Sequence, residues 1–103
     1  MEMSVKPQDG KIIICITGNI DERGAEEMKR IFSEMEISAL KEVLLDFSGV
    51  TFIGSAGIGK LLSLYKNLAV HGGTIIIENM SKDIYTMFRV VKLDKIFDLK
   101  APE

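Results

Sequence analysis

The sequence is poor in the residues that build disulfide frameworks and metal centres. It has one cysteine, one histidine, no tryptophan and two prolines among 103 residues. A single cysteine excludes an internal disulfide framework and suits a reducing compartment, so we expect a cytoplasmic protein. One cysteine and one histidine leave no cluster for a metal centre, and we expect neither a metal nor another cofactor. Cys15 lies in the apolar run IIICI and is interpreted as a small core residue.

Strong charge and long apolar runs are also lacking. The formal net charge is -2 and the pI is about 5.4, so nothing draws the chain non-specifically to nucleic acid or to anionic lipid. No apolar run approaches the ~20 residues of a membrane span, and the polar start MEMSVKPQDG lacks the profile of a signal peptide. We expect residues 1–103 to form a single domain that is a monomer when free.

Short apolar runs between turn signals predict the strands. Pro7 cannot donate a ladder hydrogen bond, so the first strand is placed at a sheet edge, ahead of a hairpin turn at Asp9-Gly10. The runs KIIICIT, EVLLDF and TIIIE are typical of strands that are covered on both faces. Gly18-Asn19 is predicted to end the first of these runs, and Ser48-Gly49 the second.

Apolar residues at helical spacing separate these strands. Asp21 is predicted to cap the first helix, and Ser81 the third. The second is predicted from about Ala56 to Val70, with Gly72-Gly73 ending it. With a short last strand within residues 95–99, the order is β-β-α-β-α-β-α-(β). We therefore expect an α/β fold with a mixed sheet of about four to five strands.

The segment GSAGIGKL, residues 54–61, is one residue away from the P-loop pattern G-x-x-x-x-G-K-[ST]. In a P-loop, backbone N–H groups cradle phosphates and the hydroxyl after the lysine holds Mg²⁺. Gly54, Gly59 and Lys60 have the right spacing, but Leu61 takes the hydroxyl position and has no ligand atom. A nucleotide hydrolase is therefore the last-ranked interpretation, and we expect no enzyme activity.

Two other interpretations of this segment remain open. In the first, Gly54, Gly57 and Gly59 permit unusual backbone angles and close helix–sheet packing in a tight strand-to-helix connection, and Ser55 is a plain N-cap. In the second, the small residues around Ser55 leave its hydroxyl at a bare helix N-terminus. The backbone of another protein could then approach it closely.

The stretch LLDFSGVTFIGSAGIGKLL resembles the signature of the STAS domain, the fold of bacterial anti-sigma factor antagonists. The stretches ITGNIDERGAEEMKRIF and GGTIIIENMSKDIYTMFRVVKLDKIF resemble further parts of the family pattern, so the likeness covers nearly the whole chain. The resemblance implies that Ser55 is phosphorylated by a kinase that is itself the anti-sigma factor. It also implies that Asp21 lies beside the phosphorylated loop and helps partner contact. The chain departs from the pattern at Gly54, where the family usually has Asp or Ser.

The resemblance implies an anti-sigma factor antagonist, a regulator of transcription that does not itself touch DNA. The unphosphorylated protein would occupy the anti-sigma kinase and release a sigma factor, and a phosphatase is an expected further partner. The predicted partner-binding residues are Asp21, Gly54, Ser55, Ala56, Gly57, Gly59 and Lys60. The alternative is a STAS interaction or scaffold module that is not phosphorylated. Gly54, in place of the usual Asp or Ser, would indicate such a member of the family.

Overall fold

Five strands form one sheet, and a helix connects each parallel pair. The structure, a computed structural model, describes residues 1–102. The strands are β1 (Glu2–Gln8), β2 (Lys11–Ile20), β3 (Glu42–Ile53), β4 (Thr74–Glu78) and β5 (Asp98–Leu99), and the α-helices are α1 (Glu22–Ser33), α2 (Ser55–Val70) and α3 (Lys82–Val90). Short 3-10 helices lie at Ile37–Ala39 and Leu93–Lys95. The expected α/β class and element order are confirmed.

The strand order across the sheet is β1-β2-β3-β4-β5. β1 pairs antiparallel with β2, and the other neighbours pair in parallel, so the mixed sheet is confirmed. β1 lies at the edge, as Pro7 predicts. Gly10 turns the chain into β2 at a φ of +66°, a conformation that glycine adopts at little cost.

All three helices pack against the same face of the sheet. Each crossover steps in the same direction across the sheet, and right-handed crossovers then place every helix on one face. The resulting core joins alternate strand residues to the helices. Its members include Ile12, Ile14, Ile16, Val43, Leu45, Phe47, Ile75 and Ile77 from the strands, and Met28, Phe32, Leu61, Leu64, Leu68, Ile84 and Phe88 from the helices.

The opposite face of the sheet stays open. Ile13, Leu44 and Ile76 pair as neighbours in one row and are half-buried. The prediction that these strands are covered on both faces is therefore wrong. Cys15 also lies on this face, half-buried, with its Sγ 3.8 Å from Oδ2 of Asp46. Its interpretation as a core residue is wrong for the same reason, because no helix covers this side of the sheet within residues 1–102.

β2 and β3 continue past both predicted glycine turns. Their pairing runs on to Ile20 opposite Ile53, with register shifts between Cys15 and Thr17 and between Gly18 and Asn19. Gly49 has a packing role within the pair, since a Cβ there would lie 2.5 Å from Cγ2 of Thr17. The predicted strand ends are wrong because glycine also serves irregular pairing and close strand contact.

The helix caps follow their local signals more closely. The Ser81 hydroxyl accepts a hydrogen bond from the Ile84 N–H at 3.2 Å and caps α3. Gly72 follows α2 at a φ of +77°, as the predicted left-handed end requires. The last strand is confirmed but is only two residues long, since residues 93–95 form a 3-10 helix instead.

Candidate partner-binding site

The candidate site lies where β2 and β3 end side by side and where α1 and α2 begin. Asn19 pairs with Phe52, and Ile20 with Ile53. The Gly54 N–H then donates to the Ile20 carbonyl oxygen at 3.0 Å. These backbone contacts bring the start of α1 and the start of α2 together. Two segments more than thirty residues apart in the sequence, one around residue 21 and one around residue 55, therefore share one surface.

Asp21 caps α1, as predicted. Its Oδ1 accepts a hydrogen bond from the Gly24 N–H at 2.9 Å, and the residue is exposed. That backbone hydrogen bond is the main cause that holds the pKa of Asp21 below its ordinary value. The carboxylate is therefore ionised at neutral pH, and this surface carries a negative charge in a fixed position.

Ser55 is the first residue of α2 and not its cap. Gly54 takes the cap position with φ -93° and ψ 177°, an extended backbone that any residue can adopt. The interpretation of Ser55 as an N-cap is therefore wrong. Ser55 is exposed, and within residues 1–102 no side chain caps the first turn of α2. The N–H groups of the first turn of α2, which begins at Ser55, therefore have no side-chain acceptor among the described residues.

The glycines of the motif lie in different environments. Gly57 is buried, and a Cβ there would lie 2.6 Å from Cγ2 of Ile20 and 3.0 Å from Cγ1 of Ile53. Gly59 is exposed, and a Cβ there would meet no described atom within 4 Å. Gly57 therefore lets α2 approach the ends of both strands, whereas Gly59 leaves the outer helix surface bare. The predicted direct partner contact by Gly57 does not fit its burial.

The other predicted residues of α2 follow Ser55 along the helix surface. Ala56 and Lys60 are half-buried. Lys60 also lines a groove of about 420 Å³ between α1 and α2, together with Phe32 and Leu64. The accessible part of the predicted set is therefore Asp21, Gly54, Ser55, Ala56, Gly59 and Lys60.

The P-loop-like segment is helical and has no room for a phosphate cradle. Residues 55–60 already belong to α2, and the Ile58 N–H donates to the Gly54 carbonyl oxygen at 3.1 Å. In a P-loop, the corresponding N–H groups line an open loop around the phosphates. The Leu61 side chain is 0% exposed and belongs to the core. The geometry thus agrees with ranking the nucleotide interpretation last.

Phe52 is a residue of this surface that sequence reasoning missed. It is 52% exposed, and a Cβ on Gly54 would lie 3.4 Å from its ring. The ring therefore lies next to the cap position of α2. The signal that could have found it is the adjacent pair Phe52-Ile53, because neighbouring residues of a strand face opposite sides. With Ile53 buried, the phenylalanine before it faces out.

Residues 1–102 contain no group of three His, Cys, Asp or Glu side chains placed to hold a metal ion. None of the helices in this range has the length and apolar character to cross a bilayer.

The STAS domain family model matches residues 2–102. The chain is 26% identical over 102 residues to the anti-sigma-B factor antagonist of Bacillus subtilis, and the match covers 98% of this chain and 92% of that protein. An anti-sigma factor antagonist from Mycobacterium paratuberculosis has a similar structure, with a TM-score of 0.79, 23% identity and coverage of 95% and 83%. The Bacillus cell fate determinant SpoIIAA in its phosphorylated form has a TM-score of 0.76, 19% identity and coverage of 97% and 92%. At these identities, the two structures establish the fold.

Proposed function

Because the chain belongs to the STAS domain family, we propose that it is an anti-sigma factor antagonist, which binds an anti-sigma factor and so releases a sigma factor. The Bacillus subtilis relative carries this function in its name. The observation that carries the proposal is the exposed Ser55 at the uncapped start of α2, on the surface shared with Asp21. Such a surface suits contact with a protein and offers no set of groups for catalysis. We assign the chain a binding role in the cytoplasm, as a single domain and without direct contact to nucleic acid.

The proposed partner surface consists of the accessible residues at the starts of α1 and α2, namely Asp21, Gly54, Ser55, Ala56, Gly59 and Lys60. Gly54, Ala56 and Gly59 add little bulk there, so a partner backbone can approach Ser55 closely. Gly57 lies beneath this surface, and its lack of a Cβ lets α2 pack closely against Ile20 and Ile53. The partner is an anti-sigma factor of the serine kinase class.

We further propose that phosphorylation of Ser55 by that kinase switches binding off and that a phosphatase switches it on again. A phosphoryl group adds about -1.5 to -2 charges at pH 7 and three acceptor oxygens. At an exposed helix N-terminus such a charge is favourable by about 0.3–1 kcal/mol, so the fold persists. At a partner surface, an unpaired buried charge costs roughly 2–5 kcal/mol. That cost corresponds to a loss of affinity of about 30- to several-thousand-fold.

A second candidate function is a STAS scaffold module that binds its partner without phosphorylation. Gly54 favours it, because the cap position of α2 carries no side chain that could make a polar contact next to the Ser55 hydroxyl. Mass spectrometry after incubation with purified anti-sigma serine kinases from the source organism separates the two functions. Modification at residue 55 in the wild type, and its loss in Ser55→Ala, supports the antagonist switch. Stable binding of the kinase without modification supports the scaffold.

The Gly54→Asp variant sharpens this experiment. The extended backbone at residue 54 accepts an aspartate, and a Cβ there would be in ordinary contact with the Phe52 ring at 3.4 Å. We expect the variant to fold and to be phosphorylated faster than the wild type, since Asp or Ser is usual at this position in the family. An equal rate would show that residue 54 does not tune the reaction.

A further inference from the structure

Phe52 stands apart from the other phenylalanines of the chain. Phe32, Phe47, Phe88 and Phe97 are at most 7% exposed, whereas Phe52 is 52% exposed. The other large apolar residues exposed within residues 1–102 are aliphatic, namely Val5, Val70, Val90, Val91 and Ile96. Aromatic residues, phenylalanine included, are enriched in the cores of protein interfaces. Among residues 1–102, Phe52 is thus the phenylalanine that the packing of the core leaves accessible to a partner.

The backbone around Phe52 is held in place before any partner arrives. Phe52 pairs with Asn19 across the two strands, and the Gly54 N–H bonds to the Ile20 carbonyl oxygen. Next to it, the Thr51 hydroxyl donates to Oδ1 of Asn19. An anchor whose backbone is already fixed loses little conformational freedom on binding.

We propose that Phe52 is the main apolar anchor of the anti-sigma factor complex, an inference that rests on the proposed function. Its ring lies beside the cap position Gly54, one residue before Ser55, so the anchor and the Ser55 hydroxyl belong to one surface. The ionised Asp21 borders that surface. The partner that fits this chemistry has an aliphatic pocket for the ring and a basic side chain next to the pocket that faces Asp21.

The test compares two exposed apolar residues for their effect on affinity. Phe52→Ala should weaken binding to the purified, cognate anti-sigma serine kinase by about 10- to 100-fold, which is about 1.4–2.8 kcal/mol. Phe52→Tyr keeps the ring and should stay within about threefold of the wild type. Val70→Ala is the control, because Val70 is an apolar residue that is 81% exposed and is the last residue of α2. It lies about 22 Å from Ser55 at a rise of ~1.5 Å per residue, so we expect no change.

Phosphorylation kinetics provide the second readout. If Phe52 anchors the kinase, Phe52→Ala raises the KM for phosphorylation of Ser55, while kcat at saturation and the thermal midpoint stay near those of the wild type. A merely structural role would instead lower the thermal midpoint and reduce kcat as well, which would overturn the proposal.

Different results would overturn the Phe52 anchor and the antagonist function. Wild-type affinity in Phe52→Ala, together with weakened binding in Ser55→Asp, overturns the anchor and leaves the antagonist function standing. Absence of binding and of phosphorylation by every anti-sigma serine kinase of the source organism overturns both.

Discussion

Two glycines of α2 should respond in opposite directions when each is replaced by alanine. In Gly59→Ala the new methyl group meets nothing within 4 Å among the described residues, so the helix propensity of alanine should stabilise the protein by about 0.8–1.0 kcal/mol. In Gly57→Ala the methyl group would lie 2.6 Å from Cγ2 of Ile20 and 3.0 Å from Cγ1 of Ile53. Such overpacking typically costs about 1–3 kcal/mol, which cancels or exceeds the same propensity gain.

The free energy of unfolding should therefore differ between the two variants by about 1–3 kcal/mol, with Gly57→Ala the less stable. Urea unfolding followed by circular dichroism measures this difference, and a domain of this size is expected to unfold in two states. In thermal unfolding the midpoints should differ by about 4–24 °C, given roughly 4–8 °C per kcal/mol. If Gly57→Ala were as stable as Gly59→Ala, α2 could not lie against Ile20 and Ile53, and the shape of the proposed partner surface would be wrong.

Three further predictions concern the fold and its charges. Phe88→Ala should lower the free energy of unfolding by about 3–5 kcal/mol, because Phe88 is 0% exposed and packs edge to face on Phe47; an unchanged urea midpoint would contradict its core position. Ser81→Ala should cost about 1 kcal/mol through the lost cap of α3, and helix content and midpoint that both match the wild type would argue against the cap. Asp21 has a pKa below its ordinary value of 3.8, so its ionised form stabilises the fold above that pH and this contribution is lost as the pH falls through the folded-state pKa. Asp21→Asn should therefore lose less stability on acidification than the wild type in urea unfolding, and parallel pH curves would refute this.

The sequence predicts those features that depend on a few neighbouring residues. Asp21 and Ser81 cap helices because a short polar side chain reaches an N–H group three residues ahead, within the same turn. Gly10 and Gly72 mark turns because both adopt a positive φ. Pro7 marks the sheet edge through its missing N–H group. Each of these signals acts locally, so the surrounding fold does not alter it.

Features that depend on the topology were predicted less well. The runs IIICI and VLLDF are as apolar as strands that are buried on both faces, yet all the helices lie on one face, which only the strand order reveals. The sequence predicts a turn at Gly49, whereas its contact with Thr17 comes from the neighbouring strand. The close helix–sheet packing that the sequence allows at the three glycines occurs at Gly57, but its neighbours Ile20 and Ile53 are known only from the tertiary fold.

The affinity of the anti-sigma serine kinase for this protein, before and after stoichiometric phosphorylation, tests the proposed function most directly. Phosphorylation at Ser55 should weaken binding by about 30-fold or more. Ser55→Asp should show part of this loss, Ser55→Ala should keep the affinity of the unphosphorylated protein, and the thermal midpoint should stay nearly constant. Equal affinity of the two forms would contradict the switch, and a loss of affinity that accompanies unfolding would contradict its proposed mechanism.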